Sequence, residues 1–238
     1  RKMRLEFRVI SIEKRDPALI AAMDEAILEE CEAGRSPPTL VYHNWEKSIS
    51  IARVQALTDI DLDKCLSDNF KVVRMITGGK AVVHFPDTEF SYSLFVPKEF
   101  GKINITQTYE TYCSRISKTL KSFGLPNVVV DNNDIFVGGK KIGGNAQRVR
   151  RNFSMQQGVI LYDCPNADTM LNFMNAELYP KSASEELAAL LTGFTQHSDA
   201  SQKELIGRLT ENITASSYSI GELSEKEKVG IFSKFASN

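Results

Sequence analysis

Apolar and polar residues change period several times along the chain, and each change predicts an element. Leu5, Phe7, Val9 and Ile10 fall in the short alternation of a strand over residues 5–12. Asp16-Pro17 then supplies a cap and a first-turn proline. After it Leu19, Ile20, Met23, Ala26, Ile27 and Cys31 recur at helical spacing until Gly34. Short strands are expected at 39–43 and 48–53, a short amphipathic helix at 59–67, and further strands at 71–76 and 89–96. A long helix over 106–123 places Tyr109, Cys113, Ile116 and Leu120 on one side, and Gly124 closes it. Strands follow at 127–130, 134–137, 140–147 and 153–161. From Asn166 onward the pattern reads as helical to the end, with one stripe at Leu187, Leu190, Leu191 and Phe194 and another at Leu205, Leu209 and Ile213. Strand hairpins early and helices late predict an α+β fold, a mainly antiparallel central sheet flanked by helices.

Two glycine turns interrupt these strands. In the first, Arg74-Met75-Ile76-Thr77-Gly78-Gly79-Lys80-Ala81-Val82-Val83-His84, a strand runs through a turn into another strand. In the second, Asn133-Asp134-Ile135-Phe136-Val137 leads through Gly138-Gly139 into Lys140-Lys141-Ile142-Gly143-Gly144-Asn145-Ala146-Gln147. A lysine held on a strand beside glycine backbone suits a site for a phosphoanhydride or an acyl-phosphate. The plainer alternative is a hairpin whose lysines only solubilise its tip. Adjacent strand residues point to opposite faces, so Lys140 and Lys141 cannot share one role.

Read together, the two blocks resemble the lipoate–protein ligase A family of the biotin/lipoate protein ligase superfamily. The family's signature is roughly an arginine pair, glycines, Ala-Val-x-His and a later Tyr-Ser or Phe-Ser strand. Further on come Asn-Asp, a strand, then Lys-Ile, Gly, a small residue and Ala. Met23-Asp24-Glu25-Ala26-Ile27-Leu28, Ser48 to Gln55 and Met155-Gln156-Gln157-Gly158 match further blocks in order, so the resemblance covers about residues 5–180. The chain departs from the pattern at Ala52, Met75, Lys80 and Gln157, where the family usually has Gly, Arg, Gly and His.

The resemblance implies a biotin/lipoate ligase-like (class II synthetase-like) catalytic domain over residues 1–180. Residues 181–238 would be a C-terminal helical extension packing on it, too short for a full accessory domain. It implies ATP-dependent activation of lipoate or octanoate to an acyl-adenylate, then transfer to a lysine of a lipoyl acceptor domain. Lys141 would contact both acyl carbonyl and phosphate. Gly78, Gly79, Lys80, Asn133 and Asp134 would bind the nucleotide. Arg74, Val82, His84, Gly143, Gly144 and Ala146 would bind the substrate, with Trp45, Val82 and Ala146 lining an apolar tunnel. Asp134 either holds Mg²⁺ with phosphate oxygens or caps its turn. Arg74 either faces the pocket or pairs with an acid, and His84 lines the pocket. The expected partners are lipoyl domains of 2-oxoacid dehydrogenase complexes or the glycine cleavage H protein, together with a separate accessory polypeptide. The alternatives are an ATP-independent octanoyl or lipoyl transferase, a non-catalytic lipoyl-domain-binding homologue, and a biotin ligase. Transferase relatives use a cysteine nucleophile, and residues 114–163 contain no cysteine. The biotin-ligase loop is replaced by Thr77-Gly78-Gly79-Lys80.

Charge and cysteines narrow the partners and compartment. The formal net charge is −1, so no global field recruits nucleic acid or membrane. Locally, residues 138–162 contain no Asp or Glu but do contain Lys140, Lys141, Arg148, Arg150 and Arg151. Arg148, Arg150 and Arg151 are either a solvated edge or a docking surface for an acidic acceptor. Cys31, Cys65, Cys113 and Cys164 form no CxxC pair, which argues against a metal site and for free thiols in a reducing cytoplasm. No apolar run reaches membrane-spanning length, so the sequons at Asn104, Asn152 and Asn212 are expected to be chance.

Overall fold

The computed structural model describes residues 5–98 and 105–236; the sequon at Asn104 lies outside them. Eight strands form the main sheet: β1 (Phe7–Arg15), β2 (Thr39–Trp45), β6 (Glu89–Pro97), β7 (Val129–Asp131), β8 (Asp134–Val137), β9 (Lys140–Val149), β10 (Phe153–Leu161) and β11 (Tyr218–Ile220). Their order across the sheet is β11-β1-β2-β6-β10-β9-β8-β7. β1 runs parallel to both of its neighbours, and every other pairing is antiparallel, so the mainly antiparallel expectation holds. A smaller sheet, β4-β3-β5, is built from β3 (Ser48–Ile51), β4 (Lys71–Arg74) and β5 (Val82–His84).

Helices cover both faces of the main sheet. α1 (Pro17–Glu32) starts where Asp16 accepts from the Ala18 amide at 2.8 Å, and Gly34, at φ 70°, lets the chain leave it. It packs with α7 (Glu225–Phe235) over Val41, Phe95 and Met155. α3 (Ile105–Ser122) and α6 (Gln202–Ile213) cover the other face, where Cys113, Ile116, Leu205 and Leu209 meet Leu40, Phe90, Tyr92 and Leu94. With both faces covered, β6 is buried along all but its last residue. The short helices are α2 (Leu62–Ser67), α4 (Ala167–Leu171) and α5 (Ser184–Leu190). Among the described residues no helix is long and apolar enough to cross a membrane.

The chain after Asn166 is not helical throughout. β11 lies parallel to β1, held by main-chain bonds from Phe7 N to Ser217 O and from Gly221 N to Val9 O, both 2.9 Å. All three of its side chains are exposed, so no burial period marks it in the sequence. This part of the chain also enters the main core, because Phe194, Leu205, Leu209 and Ile213 are fully buried there. α7 is fixed by a buried ion pair: Arg8 donates to both carboxylate oxygens of Glu227, at 2.6 and 2.9 Å, and Ser36 Oγ adds a bond at 2.7 Å.

Candidate active site

A cavity of about 790 Å³ opens between the small sheet and strands β8 to β10. Its walls come from β3 and β5, from the Thr77–Ala81 turn, and from Lys141 and Gly143 to Ala146 of β9; Leu187 and Leu190 of α5, with Leu191 just after it, border it. Of the residues singled out in the sequence, it brings together Lys141, Gly78, Gly79, Lys80, Asn133, Asp134, Val82, His84, Gly143, Gly144 and Ala146, as well as Trp45.

Lys141 Nζ lies 2.8 Å from Asp134 Oδ2, across the β8–β9 hairpin. The turn residues Gly138 and Gly139 both take positive φ, 56° and 81°, which explains the glycine pair. Gly144 has a different reason. A Cβ there would sit 3.1 Å from Asp134 Oδ1 and 3.2 Å from Lys141 Nζ, so the ion pair lies directly over its Cα. Lys140 is exposed and off the lining. In the other turn Gly79 is at φ 103°, and Gly78 N reaches back toward Gln147 O at 3.5 Å.

Two residues, Arg74 and Asn133, are held differently from the sequence expectation, while His84 lines the cavity as expected. Arg74 does not line the cavity; its guanidinium donates to the carbonyls of Ala52, Arg53 and Gln55, at 2.9, 3.3 and 2.8 Å, and braces that loop. The side chain of Asn133 is engaged with the Asn145 carbonyl at 2.6 Å. His84 lines the cavity but is locked there. It stacks on Trp45 with ring centroids 4.2 Å apart, its Nε2 meets Ser50 Oγ at 2.8 Å, and its Nδ1 forms a very short contact with Glu89. Among the described residues no group of three or more His, Cys, Asp or Glu is placed to hold a metal.

Behind the cavity lies a buried polar set that the sequence did not flag beyond its motif residues. Gln157 lines the cavity, accepts from Thr77 Oγ1 at 3.3 Å, and donates to Asp24 Oδ2 at 3.3 Å. Ser93 sits between Asp24 and His43, bonding His43 Nε2 at 3.1 Å. Burial pushes the Asp24 carboxyl up to about 7 despite Ser93, and pushes His43 down to about 3, with His84 adding repulsion. Among the described residues Asp24 Oδ1 and His43 Nδ1 have no hydrogen-bond partner.

These two shifts have opposite signs in the pH dependence of stability. The raised Asp24 contributes stability at low pH that is lost as pH rises from about 4 to about 7. The depressed His43 contributes stability above its unfolded value that is lost as pH falls from about 6.5 toward about 3. Between roughly pH 4 and 6.5 the two slopes, each about 1.4 kcal/mol per pH unit, cancel. Asp24→Asn is therefore expected to leave His43 uncompensated and make the protein progressively less stable on acidification through that window. Urea denaturation at a series of pH values checks this, and a profile identical to that of the wild type would mean that Asp24 keeps its ordinary ionisation.

Three of the four thiols lie away from the cavity and are buried, with burial raising Cys31 and Cys113 to about 12 and Cys65 to about 11. Cys164 is half-buried and follows the cavity in sequence through its neighbour Pro165, but no thiol is on the lining itself. The basic stretch is split: Arg148 and Arg150 are partly buried and Arg151 is exposed. Arg53, which the Ser48–Gln55 block includes without a role, joins them. Main-chain bonds from Arg53 N to Thr77 O (2.9 Å) and from Gly78 N to Gln147 O set Arg53 and Arg148 on either side of the glycine turn. Burial, then repulsion from Arg53 and Arg150, lowers the Arg148 pKa, with Glu25 opposing.

The same architecture occurs in solved proteins. A bi-partite lipoate protein ligase from Thermoplasma acidophilum superposes with a TM-score of 0.86 at 22% identity, covering 98% of this chain and 92% of that one. A lipoate-protein ligase A bound with ATP gives 0.84 at 22% identity, covering 98% and 95%. At such identities they establish the fold. In sequence, the octanoyltransferase LipM of Macrococcus caseolyticus is 30% identical over 186 residues, 67% of each chain. That of Clostridioides difficile is 32% identical over 187 residues, 66% of each chain. The matched part thus spans about two-thirds of these relatives' length. Residues 16–210, which include both glycine turns, Lys141 and Asp134, match the lipoyl protein ligase A/B catalytic domain, and it is to this family that the chain belongs.

Proposed function

We propose that this chain transfers an octanoyl or lipoyl group to a lysine amine of a lipoyl acceptor domain. The observation that carries the reading is the Lys141–Asp134 pair over Gly144, on the wall of a cavity of about 790 Å³ that is otherwise largely apolar. Trp45, Val82, Ala146, Met170 and Leu187 would surround the chain. When the acceptor nitrogen bonds to the acyl carbon, negative charge grows on the carbonyl oxygen. The Lys141 ammonium offsets that charge, and Asp134 keeps the ammonium aimed. The carbon–leaving-group bond then breaks, and the amine releases its proton to solvent.

Two routes deliver the acyl group, and a different observation favours each. The relatives named octanoyltransferase favour direct transfer from an acyl donor, and support it better than the ATP-dependent route implied by the motifs. The cavity wall of this chain, with a lysine and no thiol, favours activation of a free carboxylate. There the carboxylate oxygen attacks the α-phosphorus of ATP, pyrophosphate leaves, and the acceptor amine later displaces AMP. The Gly78-Gly79 amides and Lys80 would meet the phosphates, and Asp134 would hold Mg²⁺, which neutralises phosphate charge when bound.

One experiment separates the routes. The purified chain is incubated with ATP, labelled pyrophosphate and lipoate, and in parallel with an octanoyl-carrier donor and an acceptor domain. Label entering ATP supports activation, and replacement of Cys31, Cys65, Cys113 and Cys164 together should then spare activity per folded molecule. Octanoyl transfer without exchange, abolished by the same replacement, supports the donor route. Neither reaction occurring overturns the proposal.

The acceptor would meet the enzyme on the Arg148–Arg150 surface, with Arg53 beside it. Arg53, Arg148 and Arg150 form no ion pair with a described carboxylate, so their charge is available to an acidic partner. Reversal of Arg148, Arg150 and Arg151 to Glu is expected to raise the acceptor KM and flatten its salt dependence, since such attraction is screened over ~8–10 Å. Loss of nucleotide-dependent exchange with acceptor KM unchanged would instead assign them to the phosphates.

A further inference from the structure

We propose that Asn145 is a positioning residue whose side-chain amide sets Asp134 and through it the Lys141 ammonium. The inference rests on Lys141 serving acyl transfer.

Asn145 is 6% exposed and makes a reciprocal set of bonds with Asn133, the residue before Asp134. Its amide nitrogen Nδ2 donates to Asn133 O at 2.9 Å, its main-chain N donates to the same oxygen at 3.0 Å, and Asn133 Nδ2 donates to Asn145 O at 2.6 Å. The turn preceding Asp134 contains Asn132 at φ 55°, a left-handed conformation that needs outside support. These three bonds tie that turn to β9, and Lys141 then meets Asp134 at 2.8 Å.

The amide cannot rotate to another setting. Its Oδ1 accepts from Tyr92 OH and from Gln156 Nε2, the latter at 3.2 Å. Gln156 Nε2 also donates to Tyr92 OH at 2.9 Å, and Gln156 Oε1 accepts from Gln147 Nε2 at 3.2 Å. With two donors facing Oδ1, Nδ2 is left pointing at the Asn133 carbonyl. Gly158 has no side chain for the same reason, because a Cβ there would overlap both Asn145 Oδ1 and the Tyr92 ring. The neighbouring residues Gly144 and Asn145 thus act on opposite faces of one strand. The first leaves room for the ion pair, and the second aligns the turn that carries its carboxylate.

The full chain and its Asn145→Ala, Tyr92→Phe and Lys141→Ala variants test this. Reductive methylation followed by mass spectrometry reads the reactivity of Lys141, with exposed Lys140 as internal control. Asn145→Ala should raise Lys141 labelling about 3-fold or more with Lys140 unchanged, and should lower kcat about 10-fold with KM for the acyl substrate within about 2-fold. Tyr92→Phe keeps the Nδ2 donor, so it should lower the melting temperature while leaving Lys141 labelling within about 2-fold. If Asn145→Ala does not fold, Asn145→Ser carries the same expectation. Wild-type labelling and kcat in the Asn145 variant, or equal effects from Tyr92→Phe, overturn the positioning role. Wild-type transfer by Lys141→Ala overturns the reading beneath it instead, while the labelling still reports whether Asn145 holds the pair.

Discussion

Replacement of Lys141 by alanine is expected to slow acyl transfer at least ~100-fold while leaving the fold intact. Removing a charge aimed at a developing oxyanion costs about 3–4 kcal/mol of transition-state stabilisation. The expectation is the same for either donor, because both routes pass through attack on an acyl carbonyl. Stability should change little, since the Lys141 side chain is 38% exposed and exposed pairs contribute at most ~1 kcal/mol. Lys140→Ala is the control: it shares the strand and the charge but not the cavity, and should be far milder. Transfer followed by intact-mass measurement on the acceptor decides the matter. Comparable rates for Lys141→Ala and wild type would remove Lys141 from the chemistry.

The largest effect on stability is expected at Glu227, far from the cavity. Its side chain is fully buried, the Arg8 side chain is 12% exposed, and the pair joins the last helix to the first strand. Burial pushes the Glu227 carboxyl up, but Arg8, the Ser224 amide and Ser36 hold it below its ordinary value. Glu227→Ala would leave a guanidinium buried without a counter-charge, at a cost of about 3–5 kcal/mol. For a domain of this size that is roughly a 10 °C fall in melting temperature. A combined Arg8→Met, Glu227→Leu variant should recover much of the loss, because no charge is then stranded. A single-variant cost below ~1 kcal/mol in urea denaturation would show that the pair is solvated in solution.

What the sequence made legible follows the physics of each feature. The β8–β9 hairpin was readable because glycines at positive φ, alternating apolar residues and a lysine pair all lie within fifteen or so residues of each other. α1 was readable from its cap and its period. β11 was not, since an edge strand held by main-chain bonds leaves no side-chain period. Arg74 was misplaced because a motif names a residue without saying which carbonyls lie nearer than the ligand. Arg53 and Asn145 were missed for a related reason. The neighbours that single them out are set by folding: Arg148 lies beside Arg53, and Asn145 bonds Asn133 across the β8–β9 hairpin and Tyr92 from a distant strand, none of which the motif spells out.

The parallel pairing of β11 with β1 also bears on the order in which the protein can be built during synthesis. Arg8 leaves the ribosome 219 residues before Glu227. Until the distal strand arrives, the outer edge of β1 offers a row of unsatisfied amides to any other nascent chain. The strands that wall the cavity, β3, β5, β8, β9 and β10, are all translated before β11, and each has its pairing partner in the sheet before β11 emerges. The half of the sheet that borders the cavity can therefore assemble while its opposite border is still open. The step most exposed to mispairing is the closure of the longest loop in the molecule, where a holdase would have most to protect.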